Sequence, residues 1–267
     1  MATKILYKYR DWNNDNHKTI LSKNEIYFCS AKRFNDPFDG RVVLAYDLLT
    51  KDERFQAYYE LFRADYPNLP DSKIRDMANQ WVSKGLLDDP LHQKKQVEFI
   101  YEKNINDFGI VSLSEVCDDI LMWAHYANSH RGFCIGFNKQ KLVDFRINAL
   151  NKEGLIYNCY EVKYYKDYPK LKPIGLSDER FVIEPLSSKS KCWQYEKEHR
   201  LILMNGTEKK LTLPAEIFEE IILGRSISED DKNQIIKACR SRFPHAKIYQ
   251  AYIYDTKYKI GLDEIMI

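Results

Sequence analysis

The order of strand-like and helix-like patterns along the chain limits the possible folds more than any other feature. Segments typical of strands stand on both sides of one long helical stretch at residues 50–106. Aromatic residues in that stretch recur at the spacing of one helical face, namely Phe55, Tyr58, Tyr59 and Phe62. This order is not the regular strand–helix alternation of a parallel sheet, and no GxGxxG segment follows a strand. We therefore predict an α+β fold with a mixed, mostly antiparallel sheet and a helical insertion around residues 50–106.

The other elements are predicted from local composition and turn residues. Strands are predicted at residues 3–10, 25–30, 109–114, 131–137, 156–165, 198–204 and, as the last strand, 247–254. Helices are predicted at residues 18–23, 118–127, 138–150 and 228–242, and residues 176–190 are predicted to be helical or irregular.

The composition is typical of a folded globular chain. Of its 267 residues, 44% are hydrophobic and 13% are aromatic, which is enough to bury a core. We predict a single domain at residues 1–267. The six cysteines are scattered without a CxxC pair, as expected in a reducing compartment. The chain opens without an apolar leader and has no run of the roughly 20 apolar residues that span a bilayer. We expect a cytoplasmic protein without a membrane partner.

The charge balance argues against nucleic acid as the partner. The 41 basic and 39 acidic residues leave a net charge of +2, without the basic excess typical of nucleic-acid-binding proteins. No metal is expected either. His125 and His130 lie five residues apart, outside the HExxH spacing, with no carboxylate between them.

The first candidate segment is Asn-Asp-Pro-Phe-Asp-Gly at residues 35–40. Asn and Asp side chains bond neighbouring backbone amides, so one interpretation is a rigid turn that only joins two elements. The functional interpretation is a binding role for Asn35, Asp36 and Asp39, with an aspartate facing a pocket and orienting a cationic group or a sugar hydroxyl.

The second candidate segment, at residues 121–132, concentrates side chains that recognise ligands, namely Trp123, His125, Tyr126, His130 and Arg131. Tyr126 and Arg131 can reach phosphate or carboxylate oxygens, and Trp123 offers a ring on which a base can stack. The alternative is a buried aromatic helix whose polar groups are satisfied locally.

The third candidate segment contains Trp193, Glu196, Glu198 and Arg200. Two glutamates two residues apart at the start of a strand would share a face, and their repulsion would favour protonation of one of them. That arrangement suits acid–base catalysis. The alternative is that the glutamates form ordinary ion pairs with Lys197, Arg200 or Arg131.

The fourth candidate segment is Tyr-Lys-Tyr-Arg at residues 7–10. Lys8 and Arg10 would share one face of a strand, with the two tyrosines on the other. Cations beside aromatic rings suit a phosphate with an adjacent ring, and they equally suit an edge strand protected by charge. We predict that all four segments meet in one cleft.

Together, the segments LYKYR, FNDPFDG, MWAHYANSHRGFCIGF and WQYEKEHRLI resemble a bacterial family catalogued as domain of unknown function 2971, in order and over nearly the whole chain. The resemblance implies one domain with one site and names no reaction. Members resemble accessory proteins of mobile elements and defence loci, which implies an effector or toxin with a protein partner from the same locus.

The order of the segments is also similar to that of ADP-ribosyltransferases. Those enzymes bring a basic residue, a middle aromatic residue and a late Glu-x-Glu pair around NAD. The resemblance implies that Glu198 stabilises the reacting ribose, with Glu196, His125 and Tyr126 beside it, and that Arg10 with Lys8 takes phosphate. It also implies NAD as a substrate.

Three functions therefore follow from the sequence. The first is a nucleotide-handling enzyme, specifically an NAD-dependent effector similar to ADP-ribosyltransferases. The second is a non-catalytic module that binds a nucleotide, another small molecule or a protein partner. The third is a metal-dependent hydrolase or nuclease.

Overall fold

The computed structural model describes residues 4–149, 157–174 and 179–266. In this part of the chain the helices are α1 (Asp15–Ser22), α2 (Lys51–Asp65), α3 (Asp71–Lys84), α4 (Pro90–Asp107), α5 (Ile120–Tyr126), α6 (Lys139–Ala149), α7 (Arg180–Leu186) and α8 (Glu229–Arg242). The strands are β1 (Ile5–Arg10), β2 (Glu25–Ser30), β3 (Val43–Leu44), β4 (Phe108–Ser114), β5 (Phe133–Asn138), β6 (Tyr157–Glu161), β7 (Lys163–Tyr165), β8 (Lys170–Leu171), β9 (Ser188–Ser190), β10 (Glu198–Met204), β11 (Lys209–Thr212), β12 (Phe218–Leu223), β13 (Lys247–Ile253) and β14 (Ile260–Glu264).

One large sheet dominates the structure. Its main path runs β11-β2-β4-β1-β5-β12-β13-β14, and β10 pairs with both β4 and β6. Every pairing in this sheet is antiparallel except that of β12 with β13. The predicted α+β fold with a mixed, mostly antiparallel sheet is confirmed.

The chain divides into two compact units. The sheet unit comprises Met1–Arg33, Asp107–Val162 and Lys191–Ile267, and the helical unit comprises Phe34–Asn106 and Lys163–Ser190. Each unit is thus assembled from segments that are distant in the sequence. The single domain at residues 1–267 stays a prediction.

The sheet unit buries apolar side chains on both faces of its sheet. Successive residues of β5 point to opposite faces, so Phe133 and Ile135 join one core cluster and Cys134 joins the other. The first cluster contains residues of α1, α6 and α8, and the second contains Met122 and Trp123 of α5. The central strands therefore hold the candidate residues of β1, α5 and β10 in a rigid frame.

The helices begin at residues whose side chains cap them. Thr50 and Glu53 form a reciprocal capping box at the start of α2. Ser228 accepts a hydrogen bond from the Asp231 amide of α8, and Asp119 accepts from the first amides of α5. Such caps satisfy backbone donors that a helix end leaves unpaired.

The helical unit contains the predicted helical insertion at residues 50–106. Tyr58 and Phe62 of α2 pack against Ile74 and Ala78 of α3, so the predicted aromatic face is confirmed as a packing face. The same unit contains two short parallel pairs: β3 with β8 joins residues 43–44 to residues 170–171, and β7 with β9 lies within residues 163–190.

Several predicted elements differ from the structure. The strand predicted at 156–165 is two strands, because β6 pairs with β10 whereas β7 pairs with β9, and its residue 156 lies outside the described residues. The strand predicted at 247–254 is not the last one, since β14 follows it. Residue 3, residue 150 and part of the 176–190 segment also lie outside the described residues, and that segment contains α7 and β9.

The alternative that β1 is a protected edge strand is wrong, because β1 lies between β4 and β5. Among the described residues, each helix is too short or too polar to cross a lipid bilayer.

Candidate functional site

The helical unit contains a cavity of about 460 Å³, within the size range of small-molecule sites. Its walls come from three segments of the chain. The lining residues are Asp36, Phe38, Asp39, Arg41, Val43, Tyr165, Lys166, Asp167, Tyr168, Pro169, Lys170, Ser188, Lys189 and Ser190.

One wall is the turn at residues 36–40. The Asp36 Oδ1 atom accepts a hydrogen bond from the Phe38 amide at 2.9 Å, and the Asp39 amide donates to the Asp36 carbonyl at 3.2 Å. Gly40 follows at a φ of 74°, which glycine adopts without strain. The predicted turn is therefore present, and it occupies only one oxygen of the Asp36 carboxylate.

The second carboxylate oxygen of Asp36, Oδ2, is a buried polar atom of a residue in the cavity wall. Asp36 is only 4% exposed, and its Oδ2 atom is buried without a hydrogen-bond partner. A buried carboxylate oxygen without a donor costs free energy that a bound donor would recover. Asp36 therefore has one oxygen that holds the turn and a second, buried oxygen without a partner among the described residues.

A second wall comes from β7 and β9, which pair in parallel with Tyr165 beside Ser190. The Tyr165 hydroxyl donates to Glu184 at 2.7 Å, and this bond fixes the ring. The Ser188 hydroxyl oxygen is buried without a hydrogen-bond partner, and the Lys189 side chain is 8% exposed. This wall thus presents a buried hydroxyl and a buried cation to the cavity.

Charged groups of both signs line the cavity. The cations are Arg41, Lys166, Lys170 and Lys189, and the acids are Asp36, Asp39 and Asp167. The guanidinium of Arg41 donates to the Pro37 carbonyl at 3.1 Å and lies over the Tyr101 ring at 5.7 Å.

Aromatic surface lies beside these charges. Phe38 is 61% exposed, and Tyr168 is 37% exposed. Burial raises the pKa of Tyr168, Arg41 opposes that rise, and the Asp36 and Asp39 carboxylates add to it. The Tyr168 hydroxyl therefore stays protonated at neutral pH, and it donates to the Phe38 carbonyl at 3.3 Å.

In the sheet unit, the structure brings Tyr126 together with Glu196. The Tyr126 hydroxyl donates to Glu196 Oε1 at 2.6 Å, and the Ser114 hydroxyl donates to the Glu196 carbonyl at 2.6 Å. Glu196 is buried at 3% exposure. Two of the predicted catalytic side chains are thus in direct contact.

The prediction that Glu196 and Glu198 share a strand face is wrong. Glu196 ends a 3₁₀ helix at Lys191–Glu196, and β10 begins at Glu198. Between them, Lys197 has a φ of 41°, so the alternation of an extended strand does not apply. The two carboxylates therefore do not project from one face of a strand.

Glu198 forms a buried ion pair with Arg200. Arg200 Nε and Nη2 donate to the two carboxylate oxygens of Glu198 at 2.8 and 3.0 Å. Arg200 is fully buried and Glu198 is 3% exposed. The predicted alternative of an ion pair with Arg200 is present, although it is buried and not a surface pair.

Trp123 is a core residue. It is fully buried, its indole nitrogen donates to the Cys117 carbonyl at 2.8 Å, and its ring contacts Tyr9 edge-on and stacks on His130. A covered ring offers no open face to a base, so the structure favours the packing alternative for Trp123.

The remaining predicted site residues differ in exposure and in the unit to which they belong. His125 and Arg131 are exposed, and Trp193 is partly buried beside the Tyr195 ring. In the helical unit Asn35 is exposed and does not line the cavity, whereas Asp36 and Asp39 do. Convergence of all four segments in one cleft stays a prediction.

The side chains of Lys8 and Arg10 have different hydrogen-bond partners from those of Tyr7 and Tyr9. Lys8 Nζ donates to the Ser112 carbonyl at 2.7 Å, and Arg10 Nη1 lies 3.5 Å from the Tyr9 carbonyl. The Tyr7 hydroxyl donates to Glu220, and the Tyr9 hydroxyl donates to the Val116 carbonyl. The tyrosines therefore have structural bonds of their own.

Several residues of the cavity were not predicted as site residues from the sequence, including Arg41, Tyr168, Ser188 and Lys189. No local pattern brings residues 188–190 beside residues 36–41, because the pairing of β7 with β9 creates that wall. In the part of the chain that the structure describes, no group of three His, Cys, Asp or Glu side chains is arranged to hold a metal ion. The metal-dependent alternative thus has no site among these residues.

The fold and the cavity define an α+β protein with a large, mostly antiparallel sheet and a ligand-sized cavity in its helical unit. Residues 122–201 match a family described as protein of unknown function (DUF2971). The predicted resemblance is thereby shown for this range, which contains the second and third candidate segments. The comparisons find no match among curated proteins or solved structures.

Proposed function

We propose that the cavity of the helical unit binds a small molecule of the nucleotide class. The observation that carries the proposal is Asp36, a residue of the cavity wall whose buried Oδ2 atom has no hydrogen-bond partner among the described residues. A carboxylate at the wall of a site is a common acceptor for the hydroxyls of a ribose. The Ser188 hydroxyl offers a second buried polar contact.

The other lining residues supply the remaining parts of such a site. Arg41, Lys166 and Lys170 provide cations for phosphate oxygens. The exposed surfaces of Phe38 and Tyr168 provide partners for a planar base. A ligand that combines a sugar, a phosphate and a base would use all three groups, and NAD and ADP-ribose have that composition.

Calorimetric titration of the whole protein with ADP-ribose, NAD, AMP, adenosine and ribose 5-phosphate tests the proposal. We expect binding of the phosphorylated nucleosides and weaker binding of adenosine. The Asp36→Asn variant keeps a side-chain oxygen for the turn and loses the charged acceptor, so its affinity should fall about tenfold or more.

The matched control is Asp65→Asn, an exposed acid at the end of α2 in the same unit. It should bind as the unaltered protein does. Failure of every ligand to bind, or an equal loss of affinity in both variants, would contradict the proposal.

A second proposal is that the protein consumes NAD, as ADP-ribosyltransferases do. The contact of Tyr126 with Glu196 favours it, because it joins two side chains to which the resemblance gives a catalytic role. Glu196 is the stronger candidate of the two glutamates, since both oxygens of Glu198 already accept hydrogen bonds from Arg200.

Release of nicotinamide from NAD tests the second proposal. We expect release by the unaltered protein and a loss of about a hundredfold in Glu196→Gln. Glu216→Gln changes an exposed glutamate of the same unit and serves as the control. Tight binding of NAD without nicotinamide release would instead support a non-catalytic binding module. The role in a bacterial defence or toxin system, with a partner from the same locus, stays a prediction from the resemblance.

A further inference from the structure

Two cations of the sheet unit lie side by side without a counter-ion. Lys8 and Arg10 are two residues apart on β1, and neither forms an ion pair with a carboxylate in the described part of the chain. Lys8 is 8% exposed, and its single hydrogen bond is to the Ser112 carbonyl. Arg10 makes one long bond of 3.5 Å to the neighbouring Tyr9 carbonyl, so most of its guanidinium donors are unused.

The sheet places these side chains where the pairing of two strands stops. β1 pairs with β5 at six positions, whereas its described pairing with β4 is confined to Tyr7 and Ser114. The Lys8 ammonium donates to the Ser112 carbonyl of β4, two residues before that pair. Lys8 therefore lies against β4 where the described residues of β1 and β4 are not in register.

Nearby groups act on the charge of Lys8 in both directions. Burial lowers the pKa of Lys8 well below its ordinary value, and the charge of Arg10 lowers it further. Burial also lowers the pKa of Arg10 to about 10. The Glu198 carboxylate favours the charged form of Lys8, and both of its oxygens accept hydrogen bonds from Arg200.

His17 is the third basic group near the pair. Burial and the charges of Arg10 and Lys8 lower its pKa to about 4, and its Nδ1 atom accepts a hydrogen bond from the Asp11 amide. His17 is therefore neutral at physiological pH and adds no charge. Lys8 and Arg10 thus remain as two neighbouring basic groups, one buried and one partly buried, and neither forms an ion pair with a carboxylate among the described residues.

We infer that Lys8 and Arg10 form an anion-binding site in the sheet unit that takes a phosphoryl group. An oxyanion would compensate both charges at once. The planar guanidinium of Arg10 can bond two oxygens, and the Lys8 ammonium can bond a third. The proposed function concerns residues of the helical unit, so this site goes beyond it. The phosphoryl group belongs either to free phosphate or to a nucleotide.

Titration with inorganic phosphate at constant ionic strength tests the site in the whole protein. We compare the unaltered chain with Arg10→Met, Arg10→Lys and Lys8→Met. The expected result is a dissociation constant raised about tenfold or more in the two methionine variants, with Arg10→Lys intermediate because it keeps a charge and loses the second donor. Arg225→Met, an exposed arginine of the same unit, should stay within about twofold of the unaltered chain.

The melting temperature separates binding from a structural role. A binding site predicts that phosphate raises the melting temperature of the unaltered chain and of Arg225→Met, and that this rise is lost in Arg10→Met and Lys8→Met. The inference is overturned if the methionine variants respond to phosphate as the unaltered chain does. It is also overturned if sodium chloride of equal ionic strength reproduces the phosphate effect.

Titrations with ADP and adenosine distinguish the two sources of the phosphoryl group. If a nucleotide supplies it, Arg10→Met should weaken ADP binding and leave adenosine binding unchanged. If free phosphate is the ligand, Arg10→Met should weaken phosphate binding alone. An arginine change that affects adenosine as much as ADP would contradict a phosphoryl site.

Discussion

At the scale of single residues, turn chemistry and ligand chemistry are combined in one carboxylate. Asp36, a residue of the cavity wall, uses Oδ1 to accept from the Phe38 amide, which holds the turn, and its buried Oδ2 has no partner among the described residues. The structural and the functional interpretations of this segment are therefore compatible. A short polar side chain can fix the backbone and still present an acceptor.

Whether the Ser188 hydroxyl has a structural role can be tested without knowing the ligand of the cavity. Its hydroxyl oxygen is buried without a hydrogen-bond partner. Replacing it with alanine removes a buried polar atom that has no partner among the described residues, so Ser188→Ala should be neutral or up to about 1 kcal/mol more stable. Urea unfolding measures this difference, and destabilisation by more than about 1 kcal/mol would show that the hydroxyl has a structural role.

His17 predicts a specific dependence of stability on pH. Its pKa is lowered from 6.5 to about 4, first by burial and then by Arg10. The unfolded chain therefore binds a proton at His17 before the folded chain does. The contribution to stability is complete above pH 6.5 and is lost as the pH falls toward 4.

Urea unfolding at pH 7 and pH 5 measures this contribution. We expect the unaltered chain to lose about 1 kcal/mol more than His17→Gln, a figure reduced to allow for the partial exposure of the ring. His92→Gln, in the helical unit, provides the comparison. Equal losses in the unaltered chain and in His17→Gln would contradict the assignment.

At the scale of elements, β10 supports both the sheet and the candidate residues. It pairs with β4 over its whole length and with β6 over five positions, and it begins at the buried Glu198–Arg200 pair. Removing one member of such a pair leaves the other charge buried without compensation. β10, which begins at the predicted catalytic residue Glu198, therefore also stabilises the sheet.

Glu198→Gln should destabilise the protein by about 3 kcal/mol, because the fully buried Arg200 would lose the carboxylate that accepts two of its hydrogen bonds. Urea unfolding beside the control Glu216→Gln measures the loss. Any fall in activity of Glu198→Gln must be compared with this loss of folded protein. Unchanged stability would show that solvent or other groups already compensate Arg200.

The sequence predicted elements well where their apolar pattern is strong. The bounds of β2 and β10 agree with the prediction, and both strands have buried residues at regular positions. It did not predict β11 and β14, which lie at the two ends of the main strand path; β11 is largely polar and exposed, and β14 has only five residues, of which the last two are exposed acids. An edge strand has little apolar pattern of its own, and its partner defines it.

The same limit applies to the candidate site. Asp36 and Asp39 were predicted because Asn, Asp, Pro and Gly have recognisable turn chemistry. Ser188 and Lys189 carry no such signal, since their place in the cavity depends on β9 pairing with β7. The wrong prediction that Glu196 shares a strand face with Glu198 came from one residue, Lys197. Its backbone is left-handed, and no local sequence pattern indicates this.

At the scale of the whole molecule, the chain passes between two units more than once. The sheet unit is built from three segments and the helical unit from two. The cavity lies entirely among residues of the helical unit, where residues 36–43 meet residues 165–170 and 188–190. The site therefore requires the folded unit, because no single continuous segment of the chain supplies all of its walls.

A crystal structure of the protein with ADP-ribose tests the central proposal most directly. The account predicts a ribose hydroxyl within about 3 Å of Asp36 Oδ2, with the ligand among Phe38, Tyr168 and Ser188. ADP-ribose bound at another place, with Asp36 Oδ2 still without a donor, would contradict it.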